Sequence, residues 1–119
     1  MTRTAPLTAV AHARMVRLLL EDGPLVLRLT QEWVNGDTPI EASYSGYAPL
    51  TLNPKQWAAK ESGWLYPEQV FPLVRDLTTP AVLVGYYVTN KAGILMQTII
   101  EPVTLRWAGD ALAVTIGLD

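Results

Sequence analysis

The chain reads as a mainly β protein, an antiparallel β-sandwich of jelly-roll-like type with one N-terminal helix. Three observations lead there. Short runs of alternating residues recur at roughly 8–12 residue spacing, with Gly, Pro and Asn between them. One hairpin pattern, Val82 to Ile100, is far more regular than anything else in the chain. Nine prolines and eight glycines are spread along 119 residues, which suits many short strands and tight turns. The length fits one domain over residues 1–119, large enough for its own core.

In order, residues 5–20 carry Leu7, Val10, Ala11, Met15, Leu18 and Leu19 at spacings of three and four. That period puts them on one helical face, and Gly23-Pro24 supplies the stop. The apolar face, with Leu18 and Leu19, is expected to dock on a sheet or a neighbouring subunit. Strands are expected from 25 to 118. Leu25 to Gln31 alternates and predicts the first of them. Glu32 to Ser43 is dense in turn residues and predicts a long loop. Tyr44 to Leu52 predicts a strand disturbed by Gly46 and Pro49. Lys55 to Ser62 predicts a helical turn around Trp57, Trp64 to Pro67 an irregular stretch, and Glu68 to Leu73 a short strand.

In the central hairpin, Val82, Val84, Tyr86 and Val88 alternate with Leu83, Gly85, Tyr87 and Thr89. Asn90-Lys91-Ala92-Gly93 forms the turn. Ile94 to Ile100 returns, and Glu101-Pro102 is expected to break the run. A second hairpin is expected from Val103-Leu105-Trp107 and Leu112-Val114-Ile116-Leu118 around Ala108-Gly109-Asp110.

Composition narrows function by exclusion. A net charge of −2 lacks the basic footprint of a nucleic-acid binder. Apolar runs break within about ten residues, short of the ~20 a membrane-spanning helix needs. Cysteine is missing, so disulfide and thiolate chemistry are excluded, and the single His12 offers little for a metal or a base. Ala11-His12-Ala13 has a cleavage-site pattern, but the apolar stretch before it is too short for a signal peptide, so a mature N-terminus is expected. Eleven carboxylates are scattered without a pair singled out by spacing. No cofactor or metal is expected, and the chain does not read as an enzyme.

The aromatics are more specific. Trp33, Tyr44, Tyr47, Trp57, Trp64 and Tyr66 cluster between residues 33 and 66, mostly outside the best strands. Such residues cap a sandwich, anchor a protein interface or stack sugar rings. With Leu18 and Leu19 they are the candidate interface residues.

The order of N-terminal helix, Leu-rich strand, Tyr44-Ser-Gly-Tyr47-Ala, Gly85-Tyr86-Tyr87-Val88-Thr89, Lys91-Ala92-Gly93, Pro102-Val-Thr and Ala108-Gly109-Asp110 resembles a group of small bacteriophage structural proteins. These are head decoration (cement) or tail-fibre-associated proteins. The resemblance spans Met15 to Leu118 and rests on turns and strands, with no match for Asn53 to Glu68. It implies a virion component made in the host cytoplasm. It implies contacts with other capsid or tail subunits, and a homo-oligomer, with a trimer as the cement-protein form. The alternative is a carbohydrate- or receptor-binding sandwich that stacks ligand on Trp33, Trp57 and Trp64.

Overall fold

The computed structural model describes residues 23–60 and 63–118. The expected helix over 5–20, with Leu18 and Leu19, lies outside them. The described residues form eight strands and one short 3-10 turn, all strand pairs antiparallel. The strands are β1 (Val26–Val34), β2 (Thr38–Glu41), β3 (Leu50–Thr51), β4 (Ala58–Lys60), β5 (Gly63–Pro72), β6 (Ala81–Asn90), β7 (Gly93–Leu105) and β8 (Ala111–Leu118). One sheet runs β2-β1-β6-β7, with β3 paired to the start of β1; the other runs β4-β5-β8.

Alternation explains the core. Leu25, Leu27 and Leu29 beside β1 and along it, and Leu112, Val114 and Ile116 on β8, are buried in one apolar cluster that draws on both sheets. Trp57, Trp64, Tyr66 and Phe71 join it.

The expected loop over 32–43 is instead a hairpin. β1 continues to Val34, and Asn35 (φ 55°) and Gly36 (φ 80°) take the left-handed pair that a type I′ turn requires. The Asp37 N–H closes it on the Val34 carbonyl at 3.2 Å. Pro39 is tolerated because β2 is an edge strand.

Residues 42–49 are irregular, and only Leu50–Thr51 of the expected 44–52 strand pairs. The expected helical turn over 55–62 shrinks to Pro54–Gln56, followed by β4. The stretch 64–67, expected to be irregular, is the first half of β5. Its proline, Pro67, falls where the β5–β8 register shifts, so no ladder N–H is demanded of it.

The central hairpin forms as expected, with two departures. Leu83 is fully buried and Val82 exposed, so the alternation that puts Val88 inside is reversed near the start of β6. The reversal accompanies the register shift between Leu83 and Gly85. Glu101-Pro102 does not end the returning strand: β7 passes through it as an irregularity and pairs with Ala81–Leu83 as far as Leu105.

The expected second hairpin is therefore not a paired one. β7 stays in the first sheet and β8 pairs with β5 in the second. The turn between them carries the chain across. The Asp110 carboxylate accepts from the Arg106 and Trp107 N–H groups at 2.9 Å each. Asp76 accepts from the Ala108 N–H at 2.8 Å, tying the 73–77 segment to the same turn.

Candidate protein–protein interface

The first sheet sets out its side chains in rows. Arg28, Tyr87 and Gln97 are directly opposite one another across β1, β6 and β7, and Thr30, Gly85 and Ile99 form the next row. Directly opposed residues share a face, and this is the face turned away from Leu27 and Leu29.

Its β1 end is a polar network. Arg28 Nη1 meets both Glu41 carboxylate oxygens at 3.0 and 3.2 Å, and Arg28 Nε donates to Thr89 Oγ1 at 3.0 Å. The Tyr47 hydroxyl donates to Glu41 Oε2 at 2.7 Å and accepts from the Leu29 N–H at 3.1 Å. That last bond fills a gap. β3 pairs with Val26 and Leu27, β2 pairs from Thr30 onward, and neither strand is paired with Arg28 or Leu29. The Ala42 N–H takes the Leu29 carbonyl (2.8 Å), and the Tyr47 hydroxyl takes its N–H. Burial, then the bond to Glu41, hold the Tyr47 phenol well above the ordinary tyrosine pKa; burial raises Tyr44 and Tyr87 as well.

The middle is closed by Trp33. Its indole Nε1–H donates to the Val84 carbonyl at 2.9 Å. Its ring occupies the space above Gly85, where any Cβ would collide with it and with the Thr98 carbonyl. Gln97 Nε2 reaches the Asp37 carbonyl at 2.8 Å, so the β1–β2 turn is fastened to β7 across this face.

The β7 end is apolar and open. Ile94, Leu95 and Ile99 are 48, 47 and 66% exposed. A bulge explains the first two. Val88 pairs with Met96 and Thr89 with Ile94, which leaves Leu95 as the extra residue. Ile94 is thereby opposite Thr89 instead of alternating inward. Among the described residues, the outer edge of β7 pairs with no strand.

The sequence candidates divide. Tyr44 and Tyr47 are half-buried and adjacent (ring centroids 5.5 Å), and Tyr47 stacks on Phe71 at 6.3 Å. Tyr44 also lines a mainly apolar groove of about 230 Å³ with Ala48, Leu50, Val70, Phe71 and Val74. Trp33 is half-buried on the outer face. Trp57, Trp64 and Tyr66 are only 2, 2 and 3% exposed. They are core, which corrects their reading as interface anchors and removes Trp57 and Trp64 from any exposed stacking platform. Trp57 meets Tyr66 edge-on at 5.0 Å, and the Tyr66 hydroxyl accepts from the Asn53 N–H. Leu18 and Leu19 lie outside the described residues.

Sequence reasoning missed Ile94, Leu95 and Ile99, although a signal was there. Adjacent apolar residues in a strand put one side chain on each face, so Ile94-Leu95 demanded either a second apolar face or a bulge. It also passed over Trp107, which is half exposed with the Arg106 guanidinium 4.7 Å over its ring.

Among the described residues, no group of three or more His, Cys, Asp or Glu side chains is placed to hold a metal ion. Comparison with protein-family models, curated proteins and solved structures gives no match.

Proposed function

We propose that this chain is a β-sandwich structural protein that acts by protein–protein contact in a bacteriophage virion, as a capsid decoration or tail component. The observation that carries the assembly part is the set of exposed aliphatics, Ile94, Leu95 and Ile99, on a sheet edge that has no strand beside it among the described residues. Apolar side chains in such a place gain by being covered, and a free sheet edge is a template for another chain. The sandwich arrangement is supported by the single core that residues of both sheets share. The virion setting rests on the resemblance of the turn and strand order to small phage structural proteins.

The rest of the outer face suits a passive scaffold. Its charged pair, Arg28 and Glu41, is spent on internal contacts. Trp33 and Gln97 are likewise engaged in fastening the face.

The test is composition of particles. Phage particles from the genome that encodes the chain are banded on a density gradient and analysed by quantitative mass spectrometry. The reading expects the chain in fixed stoichiometry with a capsid or tail subunit. Particles that lack it, with the chain left in the soluble fraction, would overturn the virion setting.

A further inference from the structure

We infer that the outer edge of β7 pairs with β7 of a second copy, antiparallel and centred on Gln97, to give a two-fold dimer with a sheet continuous across both chains. The inference rests on the assembly reading and names the partner at that surface.

Three features of β7 specify a second copy. The first is register. Across a two-fold axis perpendicular to the sheet, opposed residues share a face, so the axis must pass through a residue and not between two. Centring on Gln97 sets Leu95 against Ile99 of the other copy, twice, and Gln97 against itself. Moving the axis to Met96 sets Leu95 against Gln97; moving it to Thr98 sets Leu95 against Glu101. Of these three registers, only the one on Gln97 matches aliphatic with aliphatic on the exposed face, which is where cross-strand pairs gain.

The second feature is the position of the irregularities. Register shifts with β6 fall between Met96 and Ile94 and between Ile99 and Val103. Among the described residues, the unpaired edge is therefore regular from Met96 to Ile99, with Leu95 in the bulge at its border. Pro102 lies beyond it and offers no N–H to a partner.

The third is charge. Lys91 stands in the turn before β7 and Glu101 near its far end. Antiparallel pairing brings the Lys91 end of one strand to the Glu101 end of the other. Parallel pairing would bring like ends together. A self-complementary patch of this kind makes an isologous contact, which closes at two copies.

The chain contains no cysteine, so a single introduced thiol reports on geometry directly. Gln97→Cys and Thr98→Cys are oxidised mildly at micromolar concentration and read on non-reducing gels. Directly opposed Cα atoms of an antiparallel pair, about 4.5–5.5 Å apart, lie within disulfide range. The expected result is a covalent dimer for Gln97→Cys and none for Thr98→Cys, which opposes Met96. In parallel, sedimentation of Ile99→Lys should show self-association weakened at least tenfold, with an unchanged far-UV spectrum and melting midpoint.

Cross-linking at Thr98 instead of Gln97 overturns the register. An oligomer, trimer included, that neither cross-links at Gln97 nor responds to Ile99→Lys overturns the surface while leaving assembly intact. A chain that stays monomeric at about 100 μM overturns self-pairing, and the composition of the particles then decides the broader reading on its own.

Discussion

At the scale of residues, hydroxyls and carboxylates do jobs that strand pairing leaves undone. The Tyr47 phenol completes the edge of β1 where β2 and β3 stop short. Tyr47→Phe leaves the Leu29 N–H without its acceptor, and should cost about 1–3 kcal/mol in denaturant unfolding. It should also change the alkaline limb. A folded-state pKa above the ordinary value gives stability that is present below about pH 10 and is lost as pH rises through the folded value. Tyr47→Phe should therefore unfold less steeply above pH 10 than the parent, with Tyr44 and Tyr87 sustaining the remainder. Equal steepness in both proteins would show that Tyr47 is not the main alkaline group. Asp110 works at the opposite end of the scale. Bonds from the Arg106 and Trp107 N–H groups hold its pKa below the usual carboxylate range. Its contribution is complete above the ordinary value and is lost as pH falls through the lowered one. Stability should thus be less acid-sensitive in Asp110→Asn, measured as melting midpoint from pH 6 down to pH 2. None of this was legible in the sequence. A tyrosine in a turn-rich segment carries no sign of which backbone group it will meet across 18 positions.

At the scale of elements, the alternating strands were legible and their partners were not. Leu25-Leu27-Leu29 and Leu112-Val114-Ile116 announce their buried faces through a period of two, and the structure buries each of them. Partners follow from long-range packing, which is why β8 was expected beside β7 and is found beside β5. Prolines misled in the same way. Pro67 closes a stretch expected to be irregular and Pro102 is expected to break a strand, yet both sit at register shifts inside longer strands, where a missing N–H costs little. The Asn35-Gly36 pair carried a hairpin signal that the density of turn residues around it obscured. The β6–β7 hairpin also holds a glycine on the outer face, Gly85, that has no room for a side chain. Gly85→Ala forces Trp33 or the Thr98 backbone to move, and about 1–3 kcal/mol of destabilisation is expected. Trp33→Ala in the same background relieves the ring but not the carbonyl. The double mutant should then be less destabilised than the sum of the singles. Strict additivity would mean that Gly85 and Trp33 do not press on each other.

At the scale of the whole molecule, the aromatics and aliphatics exchange the roles that the sequence suggested. Trp57, Trp64 and Tyr66 stood outside the regular strands and invited an interface reading, but they fill the core. Trp57→Ala should accordingly cost about 3–5 kcal/mol of stability, as a large cavity does. Trp107→Ala, on the exposed turn, should stay within about 0.5 kcal/mol of the parent. The surface of interest moves to the hairpin whose sequence pattern is the most regular, at the outer edge of β7, where Ile94, Leu95 and Ile99 face solvent. Periodicity alone marked that hairpin as scaffold; only the bulge at Leu95 and the strand's place at the sheet edge expose its apolar side. Sedimentation equilibrium of the full-length chain across the micromolar range tests this most directly. A reversible species of twice the 13.1 kDa chain mass, driven back to monomer by Ile99→Lys, is the predicted result. A single 13.1 kDa species at every concentration, indifferent to Ile99→Lys, would contradict it.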